Sequence, residues 1–290
     1  MSISELIRKN KVFLQIIVKK NIFAKTFSMY VKPKKKLGQH FLKDLTIAKK
    51  IASSIDYKED NKKAVCLEIG PGTGVLTQFL LQNENLDLSV IEIDEESVEY
   101  LVANFTDLYK NEKIIGGDFL QLDLKKEFPE GFPIVCGNFP YNISSQIFFK
   151  ILDYKDSVKE VVCMIQREVA QRIVNKAGTK EYGILSVFLQ AYYDIEYLFT
   201  VDENVFLPPP KVKSAVIRLK RNNRENLPCD EKFFRQIVKE SFNLRRKMLR
   251  NSLGKYFTGQ ENEKKFLTLR PEQLSVDDFV ELTNLLTLKK

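Results

Sequence analysis

From Ala64 onward, short apolar runs alternate with helix-patterned stretches, and this alternation restricts the chain to few architectures. The runs are "AVCLEIG", "LSVIEID", "KIIGGD", "FPIVCGN" and "EVVCMI", rich in Val, Ile and Leu and lacking a two-residue alternation. Strands of that kind are covered on both faces, as in a sheet between helical layers. The series of strand, helix and strand predicts an α/β fold built on a parallel, doubly wound sheet. Two later runs, "YDIEYLFTV" and "SAVIRLKR", are separated by Pro208 to Pro210 and alternate better, which predicts an antiparallel pair closing one edge.

With 290 residues, 44% of them hydrophobic, the chain can fill one large core and a smaller one. After Arg221 the stretch "NNRENLPCD" reads as a linker. Beyond it Phe233, Phe234, Ile237, Val238, Ser241 and Phe242 recur near helical spacing, with Asp230 as the N-cap. Two shorter helices fit "QENEKKFL" and "SVDDFVELTNLL", the latter opened by Ser275 with Asp278 three residues on. The expected domains are 29–221 and a small all-helical 222–290. Residues 1–28, with their lysines, Glu5, Arg8 and the patch "VFLQIIV", read as an upstream start or a disordered extension, since "MYVKPKKKLGQHFL" at Met29 looks like a natural amino terminus. One arginine and no small-residue cleavage site argue against a targeting peptide.

The formal charge of +8 favours a polyanionic partner without choosing among RNA, DNA and membrane surface. Cys66, Cys136 and Cys163 lie inside apolar runs with no metal-ligand spacing, so buried thiols in a reducing cytoplasm are expected, and no metal. No apolar run is long enough to span a membrane.

Strand ends carry the candidate chemistry. "LEIGPGTG", Leu67 to Gly74, has glycines spaced G-x-G-x-G where dinucleotide folds have G-x-G-x-x-G, and suits a loop whose backbone approaches a nucleoside with an amino-acid tail. Glu92 ends the second strand, where a carboxylate can accept both ribose hydroxyls. Asp118, after the third, can accept from an adenine amino group. Singly, such acids are ordinary strand-end or turn residues; at successive strand ends of one sheet they read as a site. The stretch "GNFPYNIS", Gly137 to Ser144, follows another strand and reads either as a turn or as a loop facing a ligand.

The segments "KLGQHFL", "EIGPGTGVLT", "VIEID", "GGDF", "NFPYNIS", "FLPPPKVKSAVIRL" and "FNLRRKMLRNSL" together resemble the ribosomal RNA small-subunit adenine dimethyltransferases, the KsgA family, from about Met29 to the end of the chain. The resemblance implies a Rossmann-like class I methyltransferase sheet that uses S-adenosylmethionine. It also implies that His40, Leu42, Gly70, Glu92, Asp118 and Asn138 contact that cofactor. The family more often has Asn where this chain has His40. The substrate implied is a pair of adjacent adenosines near the 3′ end of 16S rRNA in the small-subunit precursor, doubly methylated at N6 by a cytoplasmic, monomeric enzyme. Two other readings are an Erm-type methyltransferase of large-subunit rRNA and a ribosome-assembly factor whose binding outweighs its catalysis.

On the amine chemistry, two acceptors aimed at the N–H bonds of adenine's N6 leave its lone pair directed at the methyl donor. In N-F-P-Y the acceptors would be the Asn138 side-chain oxygen and the Pro140 carbonyl. Tyr141 offers a face to the extruded base, with Phe206 as the candidate for its opposite side. Arg245, Arg246, Lys247 and Arg250 are expected on one helix, with Arg246 and Arg250 sharing a face toward RNA phosphates. "KPKKK", Lys32 to Lys36, is a second basic patch, expected to be flexible without RNA.

Overall fold

The computed structural model describes residues 31–287, so the expectations for 1–28 lie outside the described residues. Its strands are Phe41–Leu42 (β1), Ala64–Ile69 (β2), Leu86–Glu92 (β3), Ile114–Gly116 (β4), Ile134–Asn138 (β5), Glu160–Gln166 (β6), Tyr193–Val201 (β7), Phe206–Leu207 (β8) and Ser214–Arg221 (β9). Seven of them form one sheet in the order β4, β3, β2, β5, β6, β9, β7. From β4 through β6 the neighbours are parallel. The doubly wound sheet is therefore present, and the two later runs stand side by side at its edge.

Burial follows the reason for expecting parallel strands. Val90, Ile134, Cys136, Val162 and Met164 are buried in a core that also takes in Ala48 and Ile51 of the helix Leu45–Ala52. Strand order reverses between β2 and β5: the chain builds from β2 out to β3 and β4, then returns to lay β5 on the other side. Crevices at the carboxyl ends of strands form at such reversals. Gly137 brings these two strands close, since a Cβ there would stand 2.4 Å from the Ile69 carbonyl oxygen and its φ is +148°.

An unforeseen element is the antiparallel pair β1–β8, which matches Phe41 with Leu207 and Leu42 with Phe206. Two-residue strands carry no periodicity, so no pattern could announce them.

The packing separates two compact units, one holding the chain to Gln166 with Leu198–Arg218, the other Arg167–Tyr197 with Leu219–Lys290. The expected boundary at 221/222 thus leaves out a segment that belongs with the tail. The helix Ile184–Gln190 is the reason: its Phe188 packs on Phe234 of the helix Glu231–Asn243, with ring centroids 6.2 Å apart. Gly178 N also donates to the Glu272 carbonyl at 2.7 Å.

Within the second unit both expected caps are present. The Asp230 carboxylate accepts from Phe233 N at 2.9 Å. Ser275 and Asp278 satisfy each other's backbone N–H at 3.1 and 2.9 Å, opening the helix Val276–Thr287.

The basic segment requires a correction. The helix ends at Asn243, a turn follows in which Lys247 N donates to the Leu244 carbonyl at 2.7 Å, and a separate short helix runs Leu249–Ser252. Arg245, Arg246, Lys247 and Arg250 therefore do not share one helix, and the common face for Arg246 and Arg250 at four-residue spacing does not exist. Leu249 and Leu253 are fully buried, and Leu249 N donates to the Leu269 carbonyl at 2.8 Å. Burying these leucines pulls the chain out of the helix. Arg245 donates to the carbonyls of Lys180 and Tyr182, so its guanidinium braces the fold, whereas Arg246, Lys247 and Arg250 are exposed.

Candidate functional site

The first wall of the crevice is the loop after β2. Gly72 has φ +56°, and a Cβ on it would lie 2.8 Å from the Phe41 ring, so the loop needs glycine both for its backbone and for the passage of β1 over it. Gly72 N donates to Glu92 Oε2 at 3.0 Å, while Ile93 N and Asp94 N donate to Glu92 Oε1, each at 2.9 Å. Burial pushes the Glu92 carboxyl up, and these three N–H groups work against that rise. A carboxylate has about four lone-pair directions, so one remains for a ligand hydroxyl.

The segment before β1 covers the same corner. Lys35–Leu37 form a 3-10 turn, Lys34 pairs with Asp94 and lies 3.1 Å from Glu96, and Gln39 Nε2 donates to Asp94 Oδ2 at 3.3 Å. Burial opposes ionisation of Asp94, yet Lys34, Ser97 and Gln39 hold its carboxyl below the usual range. Part of the "KPKKK" patch is thus fixed in place without RNA, because Lys34 has carboxylate partners; Lys32, Lys35 and Lys36 stay exposed.

The second wall is the loop after β5. Asn138 Nδ2 donates to the His40 carbonyl at 3.0 Å, which fixes the amide, while its Oδ1 is buried with no hydrogen-bond partner. A buried unpaired acceptor is costly, and here it belongs to a residue that lines a cleft together with Gly70, Glu92, Pro140, Tyr141 and His40. The Pro140 carbonyl accepts from Ile143 N at 3.2 Å, which leaves a second lone pair. The Tyr141 hydroxyl hydrogen-bonds Ser214 Oγ, and burial pushes that phenol up. Against the Tyr141 ring lies that of His40, with centroids 5.5 Å apart and planes 26° apart. His40 Nδ1–H donates to the Pro208 carbonyl at 2.7 Å.

His40, Gly70, Glu92, Asn138, Pro140 and Tyr141 are thus brought together around one cleft. Leu42 is buried and lines an adjoining hollow with Gly70 and Asn138. Asp118 lines neither space; its carboxylate accepts from Leu120 N at 2.9 Å and closes the turn after β4. Phe206 is a correction: it is 1% exposed, part of the core beside Leu42 of β1, and offers no open ring to a base. The neighbour of the Tyr141 ring is His40 instead.

Several site residues carried no sequence signal. Ile93, half exposed beside Glu92, gives the cleft an apolar edge, and Ser214 orients Tyr141 from 73 residues away. Glu68 is buried and accepts from Thr77 Oγ1 at 2.7 Å; burial pushes its carboxyl up to about 8. The folded state therefore keeps a proton that the unfolded chain loses near 4.5, so stability falls as pH rises from 4.5 to about 8. Glu68→Gln should flatten that decline, checked by urea midpoints at pH 5 and pH 8; an unchanged slope would mean that Glu68 ionises normally. Among the described residues no group of three or more His, Cys, Asp or Glu could hold a metal ion, and no helix is long and apolar enough to cross a membrane.

Residues 31–287 match the family model of the ribosomal RNA adenine dimethylases. A protein of Parabacteroides distasonis, ribosomal RNA small subunit methyltransferase A, is 59% identical over 87% of this chain and 93% of its own length. One of the same name from Cytophaga hutchinsonii is 55% identical over 89% and 99%. Among solved structures, a dimethyladenosine transferase from Plasmodium falciparum superposes with TM-score 0.69 at 25% identity, over 84% of this chain and 96% of that one. The 23S rRNA methyltransferase ErmE does so with TM-score 0.62 at 25% identity, over 84% and 99%.

Proposed function

The chain belongs to the ribosomal RNA adenine dimethylase family, and we propose that it methylates the N6 amino groups of two adjacent adenosines near the 3′ end of small-subunit (16S) rRNA, using S-adenosylmethionine. The observation that carries this reading is Asn138, a residue of the cleft lining: its donor side is held by the His40 carbonyl, and its buried oxygen is left as an acceptor without a partner.

The residues present fit a nucleoside with an amino-acid tail. Glu92 has one accepting direction left for a ribose hydroxyl, Ile93 offers an apolar surface to a purine face, and Gly70 and Gly72 let the backbone come close. When bound, S-adenosylmethionine supplies an electrophilic methyl group. The chain's own contribution is orientation. Asn138 Oδ1 accepts one N–H of the target amine and the Pro140 carbonyl the other, which draws the nitrogen toward a tetrahedral shape and leaves its lone pair facing the donor. Tyr141, its ring backed by His40, holds the extruded base by stacking, worth about 1–3 kcal/mol. No side chain need take the proton, since the methylated nitrogen can release it to water. Asp118 as a partner of the cofactor's adenine remains part of this proposal.

Arg246, Lys247 and Arg250, exposed on the second unit, are the proposed phosphate contacts. The double variant Arg246→Ala, Arg250→Ala should keep its thermal midpoint and lower the slope of log affinity against log salt by about 1.4–1.8. Arg245→Ala should instead destabilise the protein by about 1–3 kcal/mol and leave the slope alone, because it removes hydrogen bonds to two carbonyls. Salt titrations of subunit binding separate the two, and equal slopes throughout would return Arg246 and Arg250 to a solvated surface.

The rival substrate is large-subunit rRNA, on which ErmE acts; identities of 55% and 59% to small-subunit enzymes against 25% to ErmE favour the former. Labelled methyl transfer to undermethylated small subunits, large subunits and DNA tests it. Label in small subunits alone is expected, in a cytoplasmic reaction by a monomer, and label in large subunits would overturn the assignment. A role confined to assembly predicts binding to immature subunits with no label.

A further inference from the structure

The loop 207–213, Leu-Pro-Pro-Pro-Lys-Val-Lys, is left unused by the cleft chemistry and has an unusual surface. Six large hydrophobic side chains are conspicuously exposed among the described residues, and two of them, Leu207 at 45% and Val212 at 46%, fall in this one loop. Single exposed apolar residues are ordinary, but two in one short loop beside a site are informative. Lys211 is exposed between them, and Lys213 pairs with Asp202 at 2.5 Å.

Both ends of the loop are tied to the rings of the cleft. At its start Leu207 pairs with Phe41 in β8–β1, and the Pro208 carbonyl accepts from His40 Nδ1–H at 2.7 Å. Just past its end, Ser214 Oγ bonds the Tyr141 hydroxyl. Leu207 and Val212 are one and two residues from these ties, at no more than about 3.6 Å per residue. Both exposed apolar residues therefore lie within a short length of chain from the His40–Tyr141 stack. Three successive prolines restrict the loop's conformations, so little ordering would accompany binding.

We propose that this loop is a second nucleotide contact, in which Leu207 and Val212 cover the unpaired base next to the target adenosine and Lys211 meets the adjoining phosphate. The inference rests on the reading that an adenosine is presented at Asn138. Extruding one base uncovers the face of its neighbour, and an apolar side chain that takes over that face recovers part of the lost stacking. With two adjacent adenosines as substrate, a purine is the neighbour in either round, which offers the largest face to cover. A cation placed between two apolar groups matches a strand in which phosphate alternates with base.

The test uses the full chain with Leu207→Ser, Val212→Ser, their combination, and Lys211→Gln. These side chains are exposed, so thermal midpoints should stay at the wild-type value. The double variant should raise KM for undermethylated small subunits about tenfold, the equivalent of one base stack, with S-adenosylmethionine affinity unchanged. Lys211→Gln should lower the salt slope of subunit binding by about 0.7–0.9. An unchanged KM in the double variant overturns the inference, as does a loss that appears equally in cofactor affinity. If the wild type labels large subunits instead, the substrate assignment fails separately, and the same KM comparison on that RNA still decides whether the loop contacts a flanking base.

Discussion

Asn138→Ala should slow methyl transfer by about a hundredfold to a thousandfold, the loss seen when one preorganised hydrogen-bonding group is taken from a charge-developing centre. The substitution removes the proposed acceptor for the target amine and the donor that holds the His40 carbonyl, yet leaves β5 and its partners in register. Binding to subunits should change little, and the thermal midpoint should stay near the wild-type value. Cofactor affinity should fall modestly, since the same residue lines the cleft proposed to hold the cofactor. Asn138→Asp should recover only part of the rate, because it keeps an acceptor but sets a carboxylate oxygen against the His40 carbonyl. Single-turnover rates with saturating cofactor separate these effects from binding, and near-normal transfer by the alanine variant would reduce the NFPY loop to a turn.

Gly137→Ala should be the most damaging single substitution for the fold. Its Cβ would come within 2.4 Å of the Ile69 carbonyl oxygen, a backbone atom that cannot rotate away, at a φ of +148° that side chains rarely adopt. Overpacking costs about 1–3 kcal/mol and a strained backbone about as much again, so a loss of roughly 2–6 kcal/mol is expected. The two strands that must part are β2 and β5, which carry the opposing walls of the cleft, so cofactor affinity should fall together with stability. Urea unfolding measures the first and calorimetric titration the second. A stability within about 0.5 kcal/mol of wild type, the range of neutral surface changes, would mean that the strands can part without cost.

Much of the site was legible because strand ends are legible. Unbroken apolar runs located β2 to β6, and the residues at or just past their ends, Gly70, Glu92 and Asn138, fall around the cleft because the chain order puts the reversal of the sheet between β2 and β5. What escaped depends on contacts distant in sequence. Ser214 reaches Tyr141, the Pro208 carbonyl reaches His40, and β1 pairs with β8, none of which leaves a periodic trace. Phe206 illustrates the converse: an aromatic in a promising motif is buried because β8 lies over the core. The basic segment misleads for a physical reason too, since helical spacing across 244–250 is overridden by the burial of Leu249 and Leu253. In the second unit, Arg245 looks like its cationic neighbours and spends its charge on two carbonyls.

In the proposed reaction the cleft aligns the N6 amine of adenosine in small-subunit rRNA for repeated methylation. Mass spectrometry of rRNA digested after reaction with undermethylated small subunits tests it directly, by identifying the modified base and its position. The expected products are N6,N6-dimethyladenosine at two adjacent positions near the 3′ end of 16S rRNA, with no modification of large-subunit rRNA and none from Asn138→Ala over one wild-type turnover time. Methylation at another atom of the base, or modified adenosine only in large-subunit rRNA, would contradict it.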